Sequence, residues 1–176
     1  MNCAEQDLLL YAVTDRHWLH GRTLHEVVKE SLDGGVTFLQ LREKDLDEAR
    51  FLDEAKDIKT LCHAYGVPLI INDNVDIALA VDADGVHVGQ SDMEAGDVRA
   101  KLGPDKIIGV SAHNVEEAVA AQAAGADYLG AGAAFVTSTK GDARPIPHAM
   151  YRAITDAVDI PVVAIGGITE ENMAEL

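Results

Sequence analysis

Short apolar runs alternate with amphipathic segments along this whole chain, and that alternation restricts the fold more than any other feature. The runs are LLLYAV, VTFLQL, VPLII, GVHV, KIIGV, DYLGAG and PVVAIG, each about the length of a buried strand. The segments between them cover 24–32, 47–64, 75–81, 95–102, 115–124 and 147–157. Within these segments apolar residues recur three or four apart, as in Leu52, Ala55, Ile58, Leu61 and in Ala118, Ala121, Ala124. Strand and helix in strict alternation predict a parallel sheet covered by helices. In DGGVTFL, AYGVPLI, ADGVHVG and AAGADYLG a glycine stands where a helix is expected to end and the next strand to begin, in the left-handed cap conformation. A doubly wound sheet fits less well than a TIM (β/α)8-type barrel, because the turns are short and no G-x-G-x-x-G follows the first strand. The last run leads into GGITEENMAEL, inside what would be the seventh helix. The expectation is therefore a single barrel domain over 1–176, C-terminally incomplete and lacking the eighth strand and helix. Open edges beside the first and seventh strands would then favour a homo-oligomer.

Charge narrows the partners. A net charge of −16 repels phosphate backbones and anionic lipid, so neither nucleic acid nor a membrane surface is an expected partner. Much of the acid lies in helical segments such as DLDEARFLDEAKD and NVEEAVAAQ, which read as solvated helix faces. LLLYAV is too short for a membrane span or a signal core. Cys3 and Cys62 lack metal-ligand spacing and read as free thiols in a reducing cytoplasm.

In a barrel of this kind, chemistry is carried by the C-terminal ends of the strands and the loops that follow. The second run leads into Gln40, Leu41, Arg42, Glu43 and Lys44, the third into Asn72 and Asp73, and the fourth into Gln90 and Asp92. The fifth leads to Ser111 and His113, the sixth to Thr137, Ser138, Thr139 and Lys140, and the seventh to Gly166-Gly167. Neighbouring strands lie about 4.8 Å apart, so carboxylates ending the third and fourth strands can approach one ion. Two Asp oxygens, waters and a phosphate oxygen make a Mg²⁺ site. Either Asp73 or Asp92 alone reads as a helix N-cap; the pair, beside Arg42, Lys44 and Lys140, reads as a metal site facing an anion. Arg42 suits a bidentate grip on phosphate, and a lysine acts as a mobile point charge. The hydroxyls of Thr137–Thr139 and the amides of Gly166-Gly167, ahead of a helix expected near Thr169, offer a second phosphate cradle. His17 and His20 have a metal-like spacing but no carboxylate partner nearby, His87 reads as an interior residue, and His113 is a candidate proton carrier at the rim.

Taken together, YAVTDR, GGVTFLQLREKD, VPLIINDNVDIAL, ADGVHVGQSDM, IIGVSAHNVEEA, GADYLGAGAAFVTSTKGDA and IPVVAIGGITEEN closely resemble the thiamine-phosphate synthase family, in order and over nearly the whole chain. The resemblance implies a TIM barrel that joins 4-amino-2-methyl-5-(diphosphooxymethyl)pyrimidine to thiazole phosphate, giving thiamine phosphate and pyrophosphate. It implies that Gln40, Leu41, Arg42, Glu43, Lys44, Asn72, Ser111 and Lys140 hold the pyrimidine diphosphate, with Arg42, Lys44, Ser111 and Lys140 in catalysis. It further implies Mg²⁺ on Asp73 and Asp92, and thiazole phosphate on Thr137, Ser138, Thr139 and Gly167. Val136 stands where proline is common in the family. Two alternatives accompany this reading: a thiazole tautomerase of the same superfamily, which would use a proton carrier such as His113, and a non-catalytic ligand-binding barrel.

Overall fold

A computed structural model of the chain describes residues 2–90, 95–137 and 144–176. Asp92, Ser138, Thr139 and Lys140 therefore lie outside the described residues. Seven strands are present among the described residues: β1 (Tyr11–Val13), β2 (Phe38–Leu41), β3 (Leu69–Asn72), β4 (Gly85–Val88), β5 (Ile107–Ala112), β6 (Tyr128–Gly132) and β7 (Val162–Ile165). The helices are α1 (Leu24–Asp33), α2 (Glu48–Tyr65), α3 (Val75–Ala80), α4 (Ala95–Leu102), α5 (Val115–Ala123) and α6 (His148–Ala157). The chain divides into two compact units, one of Asn2–His87 with Lys101–Ile107 and one of Val88–Ala100 with Ile108–Leu176.

In each unit, neighbours in the sheet are neighbours in the chain: β1-β2-β3-β4 in the first and β5-β6-β7 in the second, with parallel pairing. That is the winding of a TIM-type barrel, in which sheet order never reverses. The fold is mixed α/β of this type, with seven strands among the described residues. Central strands are mostly apolar because both faces are covered. Phe38, Leu39 and Leu41 of β2 and Leu69, Ile70 and Ile71 of β3 are all buried.

Local chemistry sets the boundaries. Thr23 and Glu26 form a reciprocal capping box that starts α1. Asp47 caps α2, and Gly66, left-handed at φ 68°, ends it. Gly85 does not serve as a helix cap, contrary to the pattern in ADGVHVG; it is the first residue of β4, and a Cβ there would lie 2.1 Å from the Ile107 carbonyl oxygen. The positive φ after α3 falls on Asp82 instead. The run LLLYAV is a strand only from Tyr11, since Leu8 closes a 3₁₀ turn (Glu5–Leu8) and Leu9 and Leu10 are exposed. On α2 the buried stripe is Phe51, Ala55, Ile58 and Cys62, not Leu52 to Leu61. Steps of three drift around a helix of 3.6 residues per turn, so Leu52 and Leu61 point to opposite sides, whereas steps of four, three and four keep one face.

One device recurs in both units. Asp84, just before β4, accepts from the Leu69 N–H at the start of β3 and from Lys59 of α2, each at 2.7 Å. Asp127, just before β6, accepts from the Ile108 N–H of β5 at 3.0 Å and from Arg99 of α4 at 2.6 Å. Each aspartate latches a strand to the preceding helix and is itself matched by a cation.

Candidate functional site

The first unit carries the residues that follow β1, β2 and β3. The ends of β1 and β2 are tied through Thr14: its N–H donates to the Gln40 carbonyl at 2.9 Å, and its Oγ1 accepts from the Arg42 N–H at 2.9 Å. Past this knot the chain leaves the sheet, with Arg42 largely covered and Lys44 half-exposed. Arg42 turns its guanidinium toward Asp15, with Nη1 3.8 Å from Oδ2. Lys44 is half-exposed and donates to Asp73 Oδ2 at 2.5 Å. Gln40 is buried in β2, its amide donating to the Tyr11 hydroxyl at 2.6 Å. Leu41 is wholly buried.

At the end of β3, Asn72 is half-buried and its carbonyl accepts from the Asn74 N–H at 2.7 Å. The N-cap of α3 is Asn74, which accepts from the Ile77 N–H at 2.9 Å. The helix therefore does not use the Asp73 carboxylate. Asp73 sits at φ 61° and donates its N–H to the His87 carbonyl at 2.9 Å. An aspartate tolerates the left-handed region better than most residues, so the backbone turns here and leaves the carboxylate to a cation. At present that cation is Lys44.

A hard carboxylate oxygen, partly buried and already matched by an ammonium group, is a donor that suits Mg²⁺. No cluster of three or more His, Cys, Asp or Glu able to hold a metal exists among the described residues. A Mg²⁺ ion does not require one, because it is commonly held by one or two carboxylates with water and substrate phosphate completing the shell.

The second unit carries the residues after β5, β6 and β7. Gln90 donates to the Ser111 carbonyl at 2.6 Å. His113 contacts Glu117 Oε2 through Nδ1 at 2.8 Å, and its N–H donates to the same oxygen at 2.8 Å. Burial opposes ionisation of Glu117, but these bonds from His113 hold its carboxyl below the ordinary range. After β6, Ala134 N–H donates to the Ile165 carbonyl at 2.8 Å and Phe135 N–H to the Gly166 carbonyl at 2.9 Å. This brings the segment leading to Thr137 against Gly166-Gly167. A Cβ on Gly167 would lie 2.5 Å from the Val136 carbonyl oxygen, and φ there is 64°. The glycine pair is required by this close approach. The helix expected near Thr169 is instead a turn and a 3₁₀ segment (Met173–Glu175).

His17 and His20 pack with Trp18, ring centroids 4.8 Å and 6.3 Å away respectively. His87 is buried in β4.

Sequence reasoning missed one group. Glu54, read as part of a solvated helix face, is largely covered and accepts from Arg16, which also donates to Glu43. Its contacts are 38 residues distant in sequence, and nothing local marks it among the acids of α2.

Comparison with known proteins bears on what such an arrangement does. The family model described as thiamine monophosphate synthase matches residues 10–176. The chain belongs to the thiamine monophosphate synthase family. A thiamine-phosphate synthase of Clostridium tetani is 52% identical over 170 residues, which cover 97% of this chain and 81% of that protein. One from Clostridium acetobutylicum is 53% identical over 166 residues, covering 94% and 79%. The solved structure of thiamine phosphate pyrophosphorylase from Pyrococcus furiosus matches with a TM-score of 0.87 at 42% identity, over 96% of this chain and 79% of that one. Membership makes the chain an enzyme of the transferase class in thiamine biosynthesis, acting on small molecules. Among the described residues no helix is long and apolar enough to cross a membrane.

Proposed function

We propose that this member of the thiamine monophosphate synthase family joins 4-amino-2-methyl-5-(diphosphooxymethyl)pyrimidine to thiazole phosphate, releasing thiamine phosphate and pyrophosphate. The observation that carries the reading is the placement of Arg42 and Lys44 just beyond the buried end of β2, with Lys44 on Asp73 at 2.5 Å. A strongly acidic chain presents two cations and a carboxylate uncommitted to helix capping at the ends of the neighbouring strands β2 and β3.

Arg42, Lys44 and Lys140 would grip the diphosphate, with Gln40, Leu41, Glu43, Asn72 and Ser111 shaping the pyrimidine side. Thr137, Ser138, Thr139 and the Gly167 amide would hold the thiazole phosphate. Asp73 and Asp92 would hold Mg²⁺, which when bound supplies positive charge where the diphosphate departs. Lys44 would exchange its present carboxylate partner for the anion. The bond from the pyrimidine methylene carbon to the diphosphate oxygen breaks with its electron pair leaving on pyrophosphate. The aminopyrimidine delocalises the positive charge left behind, and the thiazole nitrogen attacks the methylene carbon. No protein nucleophile is needed. The side chains contribute position and charge placed where negative charge develops.

His113, fixed by Glu117, is what a thiazole tautomerase would need. One assay separates the readings: pyrophosphate release from the two substrates, with Mg²⁺ and then with EDTA. Release that requires both Mg²⁺ and the thiazole establishes the synthase. Isomerised thiazole without pyrophosphate establishes the tautomerase.

A further inference from the structure

Arg16, in the 3₁₀ turn (Arg16–Trp18) after β1, sits between two glutamates from different elements. Its Nε donates to Glu43 Oε2 at 2.8 Å, and Nη2 donates to Glu54 Oε2 at 2.5 Å. The Glu43 side chain is 2% exposed. Each carboxyl leaves its other oxygen, Oε1, buried without a partner among the described residues, and the two groups meet on one guanidinium. Neighbouring charges are engaged elsewhere, Arg42 with Asp15 and Lys44 with Asp73.

Two carboxylates on one guanidinium leave a net negative charge where Glu43 is covered and Arg16 and Glu54 stay partly open to water, with two orphaned acceptors. One proton removes both faults. Shared between the two carboxyls, it would give the orphaned acceptors a donor and make the triad neutral. Paired carboxyls that cannot both ionise behave in this way.

We infer that Glu43 and Glu54 share one proton beneath Arg16, and that the triad is the positioning device holding the Arg42–Lys44 segment toward the substrate anion. The second half rests on the transferase reading above; the first does not. Burial, opposed by Arg16 and helped by Glu54, pushes Glu43 from its ordinary 4.5 up to about 7. The folded chain thus holds one more proton than the unfolded chain between these values. Stability from the triad is complete below the lower value and is lost as pH rises through the upper one. Within that window the folding equilibrium constant falls by up to about tenfold per pH unit.

The test follows the glutamate carboxyl carbons and the Arg42, Glu43 and Lys44 amides by NMR from acid through neutral pH, alongside urea unfolding. One carboxyl titrating near neutrality, with the three amides moving in step, upholds the triad. Carboxyls that all titrate in the ordinary glutamate range overturn it. In Glu54→Gln the amide supplies a permanent donor to Glu43, so the neutral titration and the stability slope in that window should both vanish. An unchanged slope overturns the shared proton. Should that variant not fold, the titration of the unmodified chain decides alone. KM for the pyrimidine diphosphate should rise as the amides move in the unmodified chain and stay level in Glu54→Gln; a level KM in both overturns the positioning role. Absence of pyrophosphate release at every pH would instead sink the transferase reading and leave the carboxyl titration to decide the triad.

Discussion

Replacing Lys44 by Met keeps the aliphatic stem and removes the charge, and it should move two affinities in opposite directions. In the structure the Lys44 ammonium lies 2.5 Å from Asp73 Oδ2, with side chains 49% and 26% exposed. A pair this open to solvent is worth about 0.2–1 kcal/mol, far below the bare Coulomb value. A cation that takes Asp73 Oδ2 must first displace Lys44. Lys44→Met should therefore bind Mg²⁺ about 1.4- to 5-fold more tightly in the absence of substrate. The diphosphate loses a charge-assisted contact of about 1.5–3 kcal/mol, which is roughly a 10- to 150-fold rise in KM. Calorimetric titration of the substrate-free protein with magnesium chloride gives the first number, and steady-state pyrophosphate release gives the second. Weaker Mg²⁺ binding in the variant would show that Lys44 supports the metal, and the exchange argument would be wrong. An unchanged KM would remove Lys44 from the anion site.

Three further outcomes are expected. Gly167→Ala pays about 1–2 kcal/mol for a left-handed alanine and about 1–3 kcal/mol for a Cβ placed 2.5 Å from the Val136 carbonyl; thermal melting should show the loss, and thiazole phosphate KM should rise more than that of the pyrimidine. Arg99→Met removes the cation that matches the buried Asp127 carboxylate and should cost about 3 kcal/mol by urea unfolding, most of it recovered on adding Asp127→Asn. Burial, with Asp84 nearby, pushes the Cys62 thiol up to about 12; iodoacetamide at mildly alkaline pH should leave Cys62 unmodified until urea is added.

The elements were legible because buried parallel strands are almost wholly apolar and their boundaries are marked by Gly35, Gly66, Gly125 and polar caps. Where reading from sequence slipped, hydrophobicity was the wrong guide. Leu9 and Leu10 are as apolar as any strand residue, yet 78% and 51% exposed. Gly85 looked like its fellow glycines but answers a steric demand from Ile107, which no local pattern reveals. In the site, strand ends gave the positions of Arg42, Lys44 and Asp73 directly. Which residue of Asn72-Asp73-Asn74 would cap α3 was not readable, since all three can accept from a helix N–H; the geometry selects Asn74. Arg16, Glu43 and Glu54 come together only in three dimensions, and the acidity of α2 concealed the one glutamate that faces inward.

The left-handed turn at Asp73, φ 61°, has a bearing on how this chain can drift through evolution. Asparagine and glycine accept that turn almost freely, whereas glutamate, though it keeps the charge, brings a longer side chain to a conformation it rarely adopts. The substitution that looks most conservative in a table is thus the one the backbone resists. A lineage losing its need for a cation here should pass through asparagine, keeping the turn intact while the charge disappears. Descendants of that kind would preserve the architecture of the strand end and stay silent about the chemistry it once served.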